Sequence, residues 1–418
     1  MTMMADETLT RVEKHLIRPS STWFPMLSEF CHLVKNLYNH GNFLVRDKFL
    51  KKSEWMRYDE LDKILKKDLE YPDYKAMPTA QTAQQVLRVL DKNWKSFFAS
   101  IKDWKNHKDK YLGRPKMPKY IAKNGKFILT LTNQNCRYVN GKILFPKTFK
   151  GFEVKPKFTE NTERIFNSFQ QVRFIPDGIN IVMEIVYTIK KVEELKDNGR
   201  YAGIDIGIDN LLTMATNTGE PPLIINGKIP KSINQYYNKE LSRMKSVCMQ
   251  TTGRYSSKKI LRFTNKRNRK IDDYLHKASK IIVENCVKQN VNTIIIGQNK
   301  EWKQNSKLSK KVNQHFVQIP FARLIEMIEY KAKEQGIAVI LTEESYTSGT
   351  SFLDGEMPTK ENYNKKRRLH RGLFKTNNNY LINADVNGAF QIIRKVFPNV
   401  KADGIEGVVL RPVVVVAA

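Results

Sequence analysis

Three stretches of this chain place acids where packing alone does not ask for them. In Tyr201–Asn210 (YAGIDIGIDN), strand alternation puts Ala202, Ile204, Ile206 and Ile208 on one face and Gly203, Asp205 and Gly207 on the other. Aspartate is depleted in strands, and here its own-face neighbours are glycines that leave room for a ligand. That suits a metal-ligating carboxylate better than the plainer alternative, a solvated Asp on an edge strand. In Asn383–Val396, helical spacing gathers Asp385, Ala389, Ile392, Ile393 and Val396 on one inward face, with Asn387, Gln391 and Arg394 opposite. Asp385 then sits in the first turn, where it could also simply complement the helix dipole. In Gly336–Ser351 (GIAVILTEESYTSGTS), an apolar strand ends in Glu343 and Glu344, either of which could be a third ligand or just solvated.

Carboxylates from separate segments are hard oxygen ligands, suited to Mg²⁺ or Mn²⁺. Two such ions about 3.5–4 Å apart can activate a water and stabilise the leaving oxygen in phosphodiester hydrolysis. That chemistry needs no covalent Ser or Cys nucleophile.

The elements that must carry these acids follow from periodicity. Residues 9–17 read as a first strand, and Thr22–Leu65 and Thr79–Trp104 as helices, the second with a stripe of Val86, Leu87, Leu90, Trp94, Phe97, Phe98 and Ile101. Residues 105–125 are basic, with Pro115 and Pro118 blocking helix, and short alternating runs with an N-G turn at 140–141 follow. After a charged linker, KKVEELKDNGR, the pattern turns α/β: strands from Tyr201, a basic helical region at about 232–290, the strand NTIIIGQN, a helix near 319–335, the strand GIAVILTEE, a polar loop at 345–380 and a last helix near Asp385. The tail VVLRPVVVVAA reads as a strand or a disordered end.

Composition narrows the class. Among 418 residues, 72 Lys and Arg against 42 Asp and Glu give a net charge of +30, which implies a polyanionic partner, nucleic acid by default. With 41% hydrophobic residues the chain can bury cores. Four scattered cysteines (Cys31, Cys136, Cys248, Cys286), with no C-x-x-C, speak against a disulfide framework or a zinc site. The start lacks the apolar stretch of a signal peptide, and no run approaches the roughly 20 apolar residues of a spanning helix. The expectation is a cytoplasmic, nucleoid-associated protein with no membrane partner.

Basic residues cluster in three places. The first holds Lys105, Arg114, Lys116 and Lys119; the second Arg254, Lys258, Lys259, Arg262, Arg267 and Arg269; the third Lys366, Arg367, Arg368 and Arg371. Any single one is ordinarily a solvated surface charge; as clusters they are candidate nucleic-acid contacts. Trp94 falls on the helical stripe and reads as core, whereas Trp302 could brace a loop or stack on a base.

The ordered set GIDIGIDN, IIIGQNKEWKQ, EESYTS, RGLF and NADVNGA resembles TnpB, the RNA-guided nuclease of bacterial insertion sequences and a relative of type V CRISPR effectors and Fanzor. VEKHLI, EFCHLVKNLYN, AQQVLRVLDKNWKSFF and LGRPKMPKY extend the likeness to the N-terminal half. The resemblance implies a multidomain α+β protein: a helical recognition lobe (20–105), a small antiparallel β-barrel or wedge domain (1–19 and 106–195), an RNase H-like (RuvC) α/β nuclease domain (196–395) with an insert at 345–380, and a tail (396–418). It also implies two Mg²⁺ ions held by Asp205, Glu344 and Asp385, with guide RNA and target double-stranded DNA as partners of a monomer. Two departures stand out. Where many members carry the middle glutamate, this chain has Gly297-Gln298, and the E-x-x-T-S spacing of a branch with a relocated acid fits Glu344, with Glu343 as the alternative. The insert has no cysteine, so no zinc is expected. The rival reading is a nuclease-inactive, RNA-guided DNA-binding repressor; a DDE-type transposase working without RNA is a third.

Overall fold

The computed structural model describes residues 8–158, 160–298, 317–370, 372–400, 407 and 411–417. The chain forms two compact units, Met1–Lys190 and Lys191–Ala418. Among the described residues no helix is long and apolar enough to cross a membrane.

The first unit contains β1 (Thr8–Ile17), α1 (Phe24–Lys52), α2 (Tyr58–Lys67), α3 (Ala80–Asn106), β2 (Leu129–Thr132), β3 (Arg137–Val139), β4 (Lys142–Leu144), β5 (Glu153–Val154), α4 (Glu160–Ile165), β6 (Phe166–Asp177) and β7 (Asn180–Lys190). The single helix expected over 22–65 is two, because Ser53 turns left-handed (φ 57°) and its N–H closes on the Phe49 carbonyl. α3 starts at a reciprocal cap between Thr79 and Thr82. Helices and strands share one apolar core, with Trp94, Leu37, Phe149 and Phe174 fully buried.

The β part is not a closed barrel among the described residues. It is an antiparallel sheet of order β1-β7-β6-β2 beside a separate sheet β3-β4-β5. β2 has only four residues against twelve in β6, so it cannot carry the sheet round to β1. The chain after it instead turns at Asn140 (φ 50°) and Gly141 (φ 73°), the two left-handed positions of a tight hairpin, and builds the smaller sheet.

The second unit contains β8 (Tyr201–Ile206), β9 (Asn210–Thr216), β10 (Leu223–Asn226), α5 (Lys228–Thr252), α6 (Lys258–Lys288), β11 (Thr293–Gly297), α7 (Phe321–Lys333), β12 (Ala338–Thr342), β13 (Arg368–His370), β14 (Leu373–Lys375), β15 (Leu381–Asn383), α8 (Ala384–Val396) and β16 (Val413–Val415). Its main sheet has the order β12-β11-β8-β9-β10-β16. β8, β9 and β10 run antiparallel in turn, while β11 pairs parallel with β8, β12 with β11 and β16 with β10. One core joins Ala202, Ile204 and Ile206 to α6 and α7; the other joins Ala215 and Ile295 to α8 and to Phe352 and Phe374.

The stretch expected as a polar loop, 345–380, is a folded piece that includes most of the small sheet β13-β14-β15. It lies over α8, so the face carrying Asn387, Gln391 and Arg394 is buried rather than exposed. Those polar side chains meet backbone. Asn387 Nδ2 donates to Thr350 O (2.8 Å), Gln391 Nε2 to Glu356 O (3.0 Å) and Arg394 to Phe352 O (2.8 Å).

Candidate active site

Asp205, Glu344 and Asp385 line one cleft of about 670 Å³ in the second unit, although 139 and 180 residues separate the outer two from Asp205 along the chain. β8 brings Asp205 to the edge of the cleft. The turn after β12 brings Glu344. The first turn of α8 brings Asp385, where Asn383 caps the helix by accepting from the Asp385 and Val386 N–H groups. Glu343 is exposed, with the Ser345 hydroxyl donating to its Oε1 at 2.5 Å, and does not line the cleft.

Burial pushes the Asp205 carboxyl well above its ordinary value, and the negative charges of Glu344 and Asp385 push it further; the Arg368 guanidinium and the Ile206 N–H oppose them. Burial likewise pushes Glu344 up to about 7, against the pull of the Lys395 ammonium. The cleft therefore gathers negative charge that its protein surroundings only partly compensate. Asn210 Nδ2 donates to Asp385 Oδ2 at 2.8 Å, and Arg368 reaches Asp385 Oδ1 at 3.5 Å. Among the described residues no three His, Cys, Asp or Glu side chains are grouped closely enough to hold an ion. The donor set nevertheless fits a hard divalent cation: oxygen ligands only, with two buried carboxyls whose charged forms a cation beside them would stabilise.

The glycines beside Asp205 do not leave ligand space. A Cβ on Gly203 would run into the Ala389 carbonyl, and one on Gly207 would lie 2.6 Å from the Asn210 carbonyl oxygen. They let α8 and the β8–β9 turn close in. On α8 itself, Gly388 faces the acid: a Cβ there would stand 3.1 Å from Asp205 Oδ2.

Several residues of the cleft carry no obvious signal in the sequence. Asn210 lies within GIDIGIDN but reads as a turn residue. Lys228 and Lys231, at the start of α5, line the cleft, with Lys231 bonded to Asp209 at 2.6 Å. Lys395 donates to Ser345 O at 3.0 Å.

The basic clusters divide. Lys105, Arg114, Lys116 and Lys119 are exposed, as are Arg254, Lys258, Lys259, Arg262, Arg269 and Lys366. Arg267 is partly buried and donates to Asn234 Oδ1 (2.8 Å) and Gln318 O (2.9 Å) inside the unit. Arg367 is likewise committed, paired with Glu356 at 2.5 Å. Arg368 faces the cleft. Arg371 and Trp302 lie outside the described residues.

Two family models match the chain: a probable transposase family (OrfB_IS605) over residues 184–303, and the Cas12f1-like TNB domain over residues 321–392. A TnpB-like protein of Methanocaldococcus jannaschii is 30% identical over 135 residues, 32% of this chain and 46% of the relative, so the match spans about half of that protein's length. Among solved structures, a Cas12f1–sgRNA–target DNA complex is 17% identical, covering 92% of this chain and 99% of that one with a TM-score of 0.36. CasPhi-2 (Cas12j) bound to crRNA and phosphorothioate-DNA is 9% identical, covering 94% and 92% with a TM-score of 0.42. Over residues 184–303 and 321–392 the chain is thus similar to these two families, and over 135 residues to a TnpB-like protein.

Proposed function

We propose that this chain is an RNA-guided DNA endonuclease whose nuclease domain, RuvC-like, is the second unit, with the helical and wedge-like parts of the first unit holding guide RNA and reading a short motif beside the target. The observation that carries the reading is the convergence of Asp205, Glu344 and Asp385 from three distant segments on one cleft rimmed by Lys228, Lys231 and Arg368. A protein meant only to hold a polyanion gains nothing by burying carboxylates where the strand would lie.

Asp205, Glu344 and Asp385 would hold two Mg²⁺ ions, Mn²⁺ serving as a substitute. When bound, such ions supply a water nucleophile at neutral pH and charge stabilisation of the leaving oxygen. The remaining work belongs to the chain. Asn210 orients Asp385 through its amide. Arg368, half-exposed beside Asp385, is placed to meet a phosphate oxygen. Lys228 and Lys231 draw the strand's backbone to the cleft. The guide pairs with one DNA strand, and the exposed basic clusters grip the duplex by its backbone.

The test is cleavage of a plasmid carrying the guide-matched target by the chain with its copurifying RNA and Mg²⁺. Asp205→Ala, Asp385→Ala and Glu344→Gln are expected to lose cutting and keep target binding, while Glu343→Gln keeps both. Binding without cutting at every divalent metal tried would sink the nuclease reading and leave a guided repressor. Absence of any copurifying RNA would count against guidance.

A further inference from the structure

β11 ends at Gly297, between β8 and β12. The parallel register Ile295↔Gly203 and Ile296↔Ile204, carried on by one residue, sets position 297 beside Asp205; on its other side Gly297 pairs with Thr342. Asp205 and position 297 therefore share the sheet face that α8 covers, and Glu344 follows two residues beyond Thr342.

The backbone at Gly297 does not require glycine, since it is not among the glycines with positive φ. Space does. A Cβ built there would lie 2.6 Å from Glu344 Cγ, 2.7 Å from Glu344 Oε1 and 2.7 Å from Ile392 Cδ1. Glycine inside a strand costs order and packing, and it is found where another group must approach closely. Here that group is the Glu344 side chain, which fills the volume a side chain on β11 would take.

We propose that Gly297 is a positioning residue: its missing side chain is the slot through which Glu344 reaches the Asp205 cleft, so a side chain at 297 and a cleft-facing Glu344 exclude each other. The proposal rests on the reading of Glu344 as a metal ligand, but its steric half stands apart from it. It also accounts for the absence of an acid at the end of β11 and the presence of one after β12 as a single feature.

The experiment is a thermal-unfolding cycle on the full chain, in chelator and with added Mg²⁺, for Gly297→Ala, Glu344→Ala, Ile392→Ala and the doubles that pair the first with each of the others. In chelator, Gly297→Ala is expected to lower Tm by about 2–4 °C, and most of that loss should vanish in the Glu344→Ala background. The rise in Tm that Mg²⁺ gives the parent should shrink in Gly297→Ala, reflecting about 10–100-fold weaker binding. If Gly297→Ala keeps the full Mg²⁺ response, the proposal is overturned. It is equally overturned if the Tm loss persists without Glu344 and disappears with Ile392→Ala, for the glycine would then serve α8 packing alone. A parent that shows no Mg²⁺ response defeats the metal reading, and the coupling of 297 to 344 in chelator is still decided by the cycle.

Discussion

Asp205 and Glu344 are residues that the fold holds against their own preference for charge. Both carboxyls are pushed up, burial being the first cause in each case, with Glu344 reaching about 7 from an ordinary 4.5. The folded chain then binds more protons than the unfolded chain between those values. Stability of the metal-free protein should therefore be full at and below about pH 4.5 as far as this group is concerned, and decline as pH rises through about 7. Glu344→Gln should flatten that decline in unfolding curves recorded in chelator; an unchanged pH profile would show that Glu344 is not the group responsible. By the same argument Asp205→Asn should stabilise the metal-free protein, by about 0.5–2 kcal/mol, while removing cutting. A denaturant midpoint that falls instead would mean that Asp205 holds structure rather than function. Asp205 was legible in the sequence, because alternation alone exposes an acid in mid-strand. Glu344 was favoured over Glu343 only by the E-x-x-T-S spacing of the resemblance, since alternation at a strand end does not separate adjacent residues until the following turn is known.

At the scale of elements, two helices work by polar faces that pattern reading assigns to solvent. On α1, His32, Lys35, Asn39, Asn42 and Arg46 recur at alternating steps of three and four and fall on one face. They bond the backbone of the Pro-containing segment: Lys35 donates to Lys123 O (2.9 Å), Asn39 Nδ2 to Ile121 O (2.8 Å), and Asn42 Nδ2 to Pro118 O (3.1 Å). Asn39 Oδ1 also accepts from the Ile121 N–H at 2.9 Å. A segment interrupted by prolines cannot fill a sheet ladder, so helix side chains take the ladder's place. Asn39→Ala, which strips two bonds from one residue's backbone, should cost about 1–3 kcal/mol and speed amide exchange at Ile121; unchanged exchange there would deny the seam its role. On α8, Arg394 does the matching work for the insert, reaching the carbonyls of Phe352 and, at 3.1 Å, Val400, with its guanidinium 4.1 Å from the Phe352 ring centre. Arg394→Met should destabilise the second unit by about 1.5–3 kcal/mol, and proteolysis within 345–380 should report it first.

For the whole molecule, the surplus of +30 sets how it meets nucleic acid rather than what it does there. Affinity for RNA and DNA should fall steeply with salt, each phosphate contact adding about 0.9 to the slope of log K against log salt on B-form DNA. Replacing exposed Lys116 and Lys119 by Ala should lower that slope, whereas Arg267→Ala, whose guanidinium is bonded inside the second unit, should lower stability and leave the slope alone. A reversed pattern in salt titrations would show that burial does not sort these cations.

The sequence by itself determined the charge balance, the order of the longer helices and main-sheet strands of the second unit, the mid-strand Asp205 and the first-turn Asp385. Each of these is a local property, written in composition or in a period of two or of 3.6 residues. Tertiary structure alone decided that β2 is too short to close a barrel, that the polar face of α8 is covered, that Arg267 and Arg367 are bonded internally, and that Gly297 opens the space Glu344 fills. These depend on which residues distant in the chain come to share a volume, and strand register and side-chain sterics, not periodicity, settle that.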